Sequence, residues 1–141
     1  MVEQSIILKR LTLLEEYIRD LEEMREKSLK DLKSDKVIRR YVERTLHMAA
    51  EACLDIANHI ISYEGYREPI DNKDSFEVLM EEKVIKPELT EKLKKMAQFR
   101  NVVVHDYIRV QPEIIYAILH KNISDIVAYA KCIKQKFLTD I

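Results

Sequence analysis

The sequence predicts an all-α protein, an up-and-down bundle of four long helices with one additional short helix. Two observations carry that reading. Only one glycine and three prolines occur in 141 residues, too few turn formers for a sheet protein. Apolar residues recur at intervals of three and four along most of the chain. At this length the chain fits one domain, residues 1–141, with a core that needs no disulfides.

The first helix is read from about Glu3 to Leu32, on a heptad-like stripe of Ile7, Leu11, Leu14, Ile18 and Leu21. Ser34 is the candidate N-cap of a second helix from about Asp35 to Tyr63, which Gly65 ends. Its apolar set, from Ile38, Tyr41 and Val42 to Ile56, Ala57 and Ile60, covers most of the circumference. Such a helix is central or is covered by a second subunit. Glu64 to Lys73 reads as a loop around Gly65, Pro69, Asp71 and Asn72. Asp74 and Glu77 make a capping-box-like start for a short helix through about Lys83.

Pro87 fits the first turn of the next helix, with Leu89, Leu93, Met96, Phe99 and Val103 on its buried face. After a break near Arg109-Val110, Pro112 opens the last helix. Its stripe is Ile115, Leu119, Ile126, Ala130, Ile133 and Phe137. There is no internal repeat, linker or low-complexity tract.

Composition excludes several chemistries. A single glycine rules out a Walker loop and a Gly-rich dinucleotide turn. The net charge of −1 rules out a basic nucleic-acid coat, so any contact with RNA rests on a few placed cations. Cys53 and Cys132 lie in apolar helical surroundings and read as reduced core residues. The N-terminal Met1-Val2-Glu3-Gln4 lacks a basic signal head, and no apolar run approaches the ~20 residues that span a bilayer. The expectation is a soluble, cytoplasmic protein without a membrane partner.

The densest functional signal is Arg100-Asn101-Val102-Val103-Val104-His105-Asp106-Tyr107. An arginine that grips phosphate and a histidine that moves protons near neutral pH are a minimal kit for cutting RNA. On one helix Arg100 and Tyr107 share a side, and Asn101 faces His105 at i, i+4. Arg100 and His105 stand about 140° apart. A local break near Asp106 or a second copy across a two-fold axis would close that gap. The plain alternative is an ordinary polar helix end.

A second polar row, Glu43, His47, Glu51, Asp55 and His59, repeats every four residues. Histidine and carboxylate at that spacing can ligate a metal. No second set, CxxC or HExxH accompanies them, so the row reads as a solvated or inter-subunit ridge. A narrower expectation is an ion pair of Glu51 or Asp55 with Arg100 or with a partner subunit's arginine, which would fix the guanidinium in place. Arg39, Arg40 and Arg44, and Lys92, Lys94 and Lys95, form basic clusters that would guide RNA or simply solvate the surface. His120 is isolated and carries no specific signal.

The motif resembles the R-x4-H-x-Y signature of HEPN-domain proteins of the HepT kind. The segment Arg44 to Ile61 resembles that family's second helix, and the helix order agrees. The resemblance implies a homodimeric, metal-independent endoribonuclease toxin of a toxin–antitoxin pair, without a cofactor. It also implies an RNA substrate and an MNT-type nucleotidyltransferase antitoxin. Carried over, Arg100 and His105 would be catalytic, Asn101 supporting, and Tyr107 the acceptor for AMPylation. A non-catalytic HEPN module that binds nucleotide or the nucleotidyltransferase is the alternative.

Overall fold

The computed structural model describes residues 4–105 and 111–138, with side chains described to residue 99 and again from residue 111. Among the described residues seven helices follow in order: α1 (Gln4–Met24), α2 (Leu29–Ser34), α3 (Lys36–Glu64), α4 (Asn72–Glu81), α5 (Pro87–His105), α6 (Pro112–Lys121) and α7 (Ile123–Phe137). The predicted all-α class holds, and the four long columns are α1, α3, α5 and the α6–α7 pair. Two of the predicted helices are each broken in two.

The α1 stripe is buried as read: Ile7, Leu11, Leu14, Ile18 and Leu21 all face the core. The helix stops at Met24, however, and not at Leu32. The cause is a local capping box. The Asp31 amide donates to Ser28 Oγ at 3.1 Å, and the Ser28 amide donates to Asp31 Oδ2 at 2.9 Å. That exchange satisfies donors a helix start leaves open, so α2 begins afresh after Ser28. The same amide holds the Asp31 carboxyl below its ordinary range.

The N-cap of α3 is Asp35 and not Ser34. Asp35 Oδ1 accepts from the Val37 and Ile38 amides, while the Ser34 hydroxyl turns back to the Lys30 carbonyl. Arg39 donates to the carbonyls of Leu32 and Lys33 at 2.9 and 3.2 Å, closing the end of α2. α3 then runs for 29 residues and packs against α1, α2, α4, α5 and α6, as its nearly all-round apolar surface requires. Gly65, at φ 72°, ends it in the left-handed conformation that glycine adopts without strain. Tyr41, placed by pattern in the apolar set, is 43% exposed.

α4 starts three residues earlier than read, because Asp71 and not Asp74 is its cap and accepts from the Asp74 amide at 2.8 Å. Asp74 is thereby released for other partners. Pro87 opens α5, where it lacks only an amide that would be unpaired anyway. The α6–α7 break falls at Asn122, whose φ of −103° and ψ of −9° stay close to helical. The apolar phase therefore carries across from Leu119 through Ile123 to Ile126, and periodicity alone shows one helix.

The core is one cluster drawn from all seven helices. Its deepest tie is between α7 and α3: the Tyr129 hydroxyl donates to the Cys53 carbonyl at 2.9 Å, and both residues are fully buried. Phe76 of α4 meets the Tyr129 ring edge-on at 5.8 Å. At the bundle's open end, Gln4 donates to the Phe137 carbonyl and joins the first helix to the last.

Candidate functional site

Residues Arg100 to His105 of the motif occupy the last turns of α5. Leu93 and Ala97, two turns and one turn before Arg100, are fully buried and anchor the helix. Arg100 and His105 lie on one continuous helix, so no break intervenes between them. Five residues at ideal geometry set them about 140° and about 7.5 Å apart. The side chains of Arg100, Asn101 and His105 lie outside the described residues. So do Asp106 and Tyr107 entirely, and with them the break read near Asp106 and the one near Arg109-Val110.

α3 packs beside α5 and carries the polar row. Its members do not converge on one point. The His47 ring, with its side chain 13% exposed, sits between two neighbours: Arg44 Nη1 is 3.4 Å from Nδ1, and Glu51 Oε1 is 3.8 Å from Nε2. Because a guanidinium can only donate, Nδ1 accepts and the proton of a neutral ring rests on Nε2, toward Glu51. Asp55 lies 4.0 Å from Arg10 of α1, and the His59 ring packs against Tyr63 at 5.7 Å. Burial raises the Glu43 carboxyl above its ordinary value, against the lowering pull of Arg39 and Arg40. Among the described residues no group of three or more His, Cys, Asp or Glu side chains is placed to hold a metal. The Arg100 end of the suggested pair with Glu51 or Asp55 lies outside the described side chains. Arg10 was not anticipated, because a contact between helices leaves no spacing signal in the sequence.

The basic clusters are partly committed to structure. Arg39 caps α2, Lys94 is bound to Glu77, and Lys92 faces Asp125 at 3.6 Å. Arg40 and Lys95 remain exposed. The His120 ring lies 4.2 Å from the Tyr116 ring in α6, tilted by 47°, and its Nε2 is buried without a hydrogen-bond partner among the described residues. Cys53 is buried and Cys132 half-buried, both as free thiols, and burial pushes the Cys53 thiol well above its ordinary range. A buried thiol of that kind is not a nucleophile.

A cluster absent from the sequence reading is centred on Arg67. Its guanidinium donates to both oxygens of Asp74, at 2.7 and 2.8 Å, and to both of Glu81, at 2.9 Å each. The Ile70 amide adds a bond to Asp74 at 3.0 Å. Together, Arg67 first and the amide second, these hold the Asp74 carboxyl down at about 2. The arrangement pins the 65–71 loop onto α4 and is structural. The Asp74-to-Glu81 spacing of seven, two turns on one face, was its only trace in the sequence.

Comparison with known proteins fits this architecture. A family model described as "Ribonuclease HepT-like" matches residues 14–133. A protein named mRNA nuclease HepT, from Shewanella oneidensis, is 33% identical over 102 residues, 72% of this chain and 77% of that protein. A tRNA nuclease HepT from Aphanizomenon flos-aquae is 26% identical over 138 residues, 98% of this chain and 94% of that one. Among solved structures, a tri-AMPylated Shewanella oneidensis HEPN toxin in complex with MNT antitoxin superposes with a TM-score of 0.83 at 28% identity. That match covers 92% of this chain and 97% of the toxin chain. No helix among the described residues is long and apolar enough to cross a membrane. With a helical bundle of this topology, Arg100 and His105 on α5 and a family model spanning most of its length, the chain belongs to the HepT-like ribonuclease family.

Proposed function

We propose that this protein is an endoribonuclease toxin acting as a homodimer, with Arg100 and His105 as its catalytic residues. The observation that carries the reading is the R-x4-H-x-Y motif of a HepT-like chain, with its Arg100 and His105 positions on α5. The two positions stand about 140° apart around one ideal helix, so a single copy is poorly arranged to bring both residues to one phosphate. A two-fold axis beside α5 would bring the Arg100 and His105 of one copy to those of the other.

The chemistry needs no metal-bound water, because RNA supplies its own nucleophile. The 2′-oxygen attacks phosphorus as His105 takes its proton, and the P–O5′ bond breaks. The partner's His105, in its protonated form, gives a proton to the departing 5′-oxygen. The products are a 2′,3′-cyclic phosphate and a 5′-hydroxyl. Imidazole suits both roles, since its unperturbed pKa is about 6.5. Arg100 stabilises the charge that builds on the phosphoryl oxygens, and Asn101 orients the imidazole one turn away.

Control is assigned to Tyr107. An MNT-type nucleotidyltransferase antitoxin would transfer AMP to its hydroxyl, placing bulk and a negative phosphate beside Arg100. The solved relative that is AMPylated and bound to an MNT antitoxin supports this partner. The test is purified protein on a generic RNA in EDTA, with the ends of the products analysed. Cyclic-phosphate ends that vanish in His105→Ala support the enzyme. Binding without cleavage supports a recognition module, and undiminished cleavage by His105→Ala overturns the site.

A further inference from the structure

The opposite end of α5 carries an open groove of about 670 Å³ between the α4–α5 turn and α7. Four lysines line it: Lys83, Lys86, Lys92 and Lys136, facing the acids Glu88 and Asp125. The charges do not cancel. Asp125 is engaged by Lys92 at 3.6 Å and by the Asn122 amide at 3.2 Å. Among the described residues Lys83, Lys86 and Lys136 have no ion-pair partner, so three cations face Glu88 alone.

A further feature points the same way. The groove includes Glu88 and Leu89, at the start of the 19-residue α5. Their amides fall in the first turn, where a helix has no internal acceptors and its dipole favours negative charge. Leu89 and Ala128 form an apolar floor. Unpaired cations along an open groove suit the phosphates of a single strand.

We infer that this groove is a second contact for the RNA backbone, away from the cleavage site; this rests on the ribonuclease reading above. Lys86 and Arg100 are 14 residues apart on or beside the same helix, about 21 Å along its axis. A stacked strand advances about 3.4 Å per nucleotide, so roughly six nucleotides reach from one site to the other. The groove therefore selects for length: it adds affinity for a long RNA and none for a trinucleotide.

The test uses the full chain and the double variant Lys86→Glu/Lys136→Glu, with Lys86→Arg/Lys136→Arg as the charge-conserving control. Binding to a fluorescent, uncleavable 2′-O-methyl 20-mer is measured by anisotropy across a salt series, and cleavage of a matched RNA and of a trinucleotide in parallel. For the glutamate variant the 20-mer affinity should fall at least tenfold. The slope of log affinity against log salt should flatten by about 1.4, two single-strand contacts at about 0.7 each. Trinucleotide cleavage and the arginine variant should stay at wild-type values. A 20-mer affinity and salt slope unchanged by the glutamates overturn the inference. So does unchanged RNA binding with weakened binding to the nucleotidyltransferase, which would assign the groove to a protein. A wild type that binds the 20-mer through these lysines but cleaves nothing would refute the nuclease reading and leave the groove standing.

Discussion

Replacing Tyr129 by phenylalanine removes one oxygen from the centre of the bundle. Its hydroxyl donates to the Cys53 carbonyl at 2.9 Å, and Tyr129 is 0% exposed. Burial holds the phenol protonated far above neutral pH, so it is a donor under any working condition. Cys53 lies inside α3, where its carbonyl also accepts the regular helical bond from Ala57. Losing the tyrosine proton therefore leaves no orphaned acceptor, and the cost is that of one ordinary hydrogen bond, about 1 kcal/mol. For a chain of this length that lowers the melting midpoint by roughly 3 °C. The edge-on contact with Phe76 is kept, since the ring remains. Tyr129→Ala deletes the ring as well and should cost about 3–5 kcal/mol through the cavity it leaves. Urea denaturation of both variants checks this, with the midpoint falling and the slope m unchanged. A Tyr129→Phe cost above about 3 kcal/mol would mean that the carbonyl had depended on tyrosine alone. No measurable cost would mean that the α3–α7 tie is not formed.

His105→Ala should lower RNA cleavage by about 10²–10⁴-fold with an unchanged melting midpoint, read from initial rates and calorimetry. If both histidines of a dimer are needed, co-refolding wild type with an equal amount of His105→Ala leaves roughly a quarter of the wild-type rate, and independent sites would leave half. Incubation with the nucleotidyltransferase and ATP should add AMP to the wild type and not to Tyr107→Phe, and intact-mass spectrometry showing equal adducts would remove Tyr107 from the switch. The Arg67 clasp should make stability pH-dependent in acid. The folded Asp74 carboxyl titrates at about 2, below its unfolded value, so its contribution is complete above about pH 4 and is lost as the pH falls toward 2. In Arg67→Ala the Asp74 carboxyl, followed by NMR, should titrate closer to its ordinary value, and an unmoved titration would discount the clasp.

The helical columns were legible because burial repeats with the helix period. Ile7, Leu11, Leu14, Ile18 and Leu21 could be paired with the core before any coordinate was known. The breaks were less legible, for two different reasons. The one after Met24 has a local cause, the Ser28 and Asp31 exchange, and its Ser-x-x-Asp pattern stood unread in the sequence. The one at Asn122 leaves the apolar phase intact, so no pattern of burial could reveal it. Asp35 displaced Ser34 as a cap because Ser34 had an acceptor of its own at Lys30.

By itself the sequence determined the class of the fold, the order of its long helices and the motif that marks the family. Those are local quantities: periodicity, spacing and residue type along the chain. Only the tertiary structure decided which cations are spent. Arg39, Lys92 and Lys94 are held by partners three to 33 positions away, while Lys83, Lys86 and Lys136 meet at one groove from two separate segments. It also decided that Arg100 and His105 share one unbroken helix. Charge composition has no address in space until the chain folds, and a helix fixes the angle between two side chains whatever their chemistry requires.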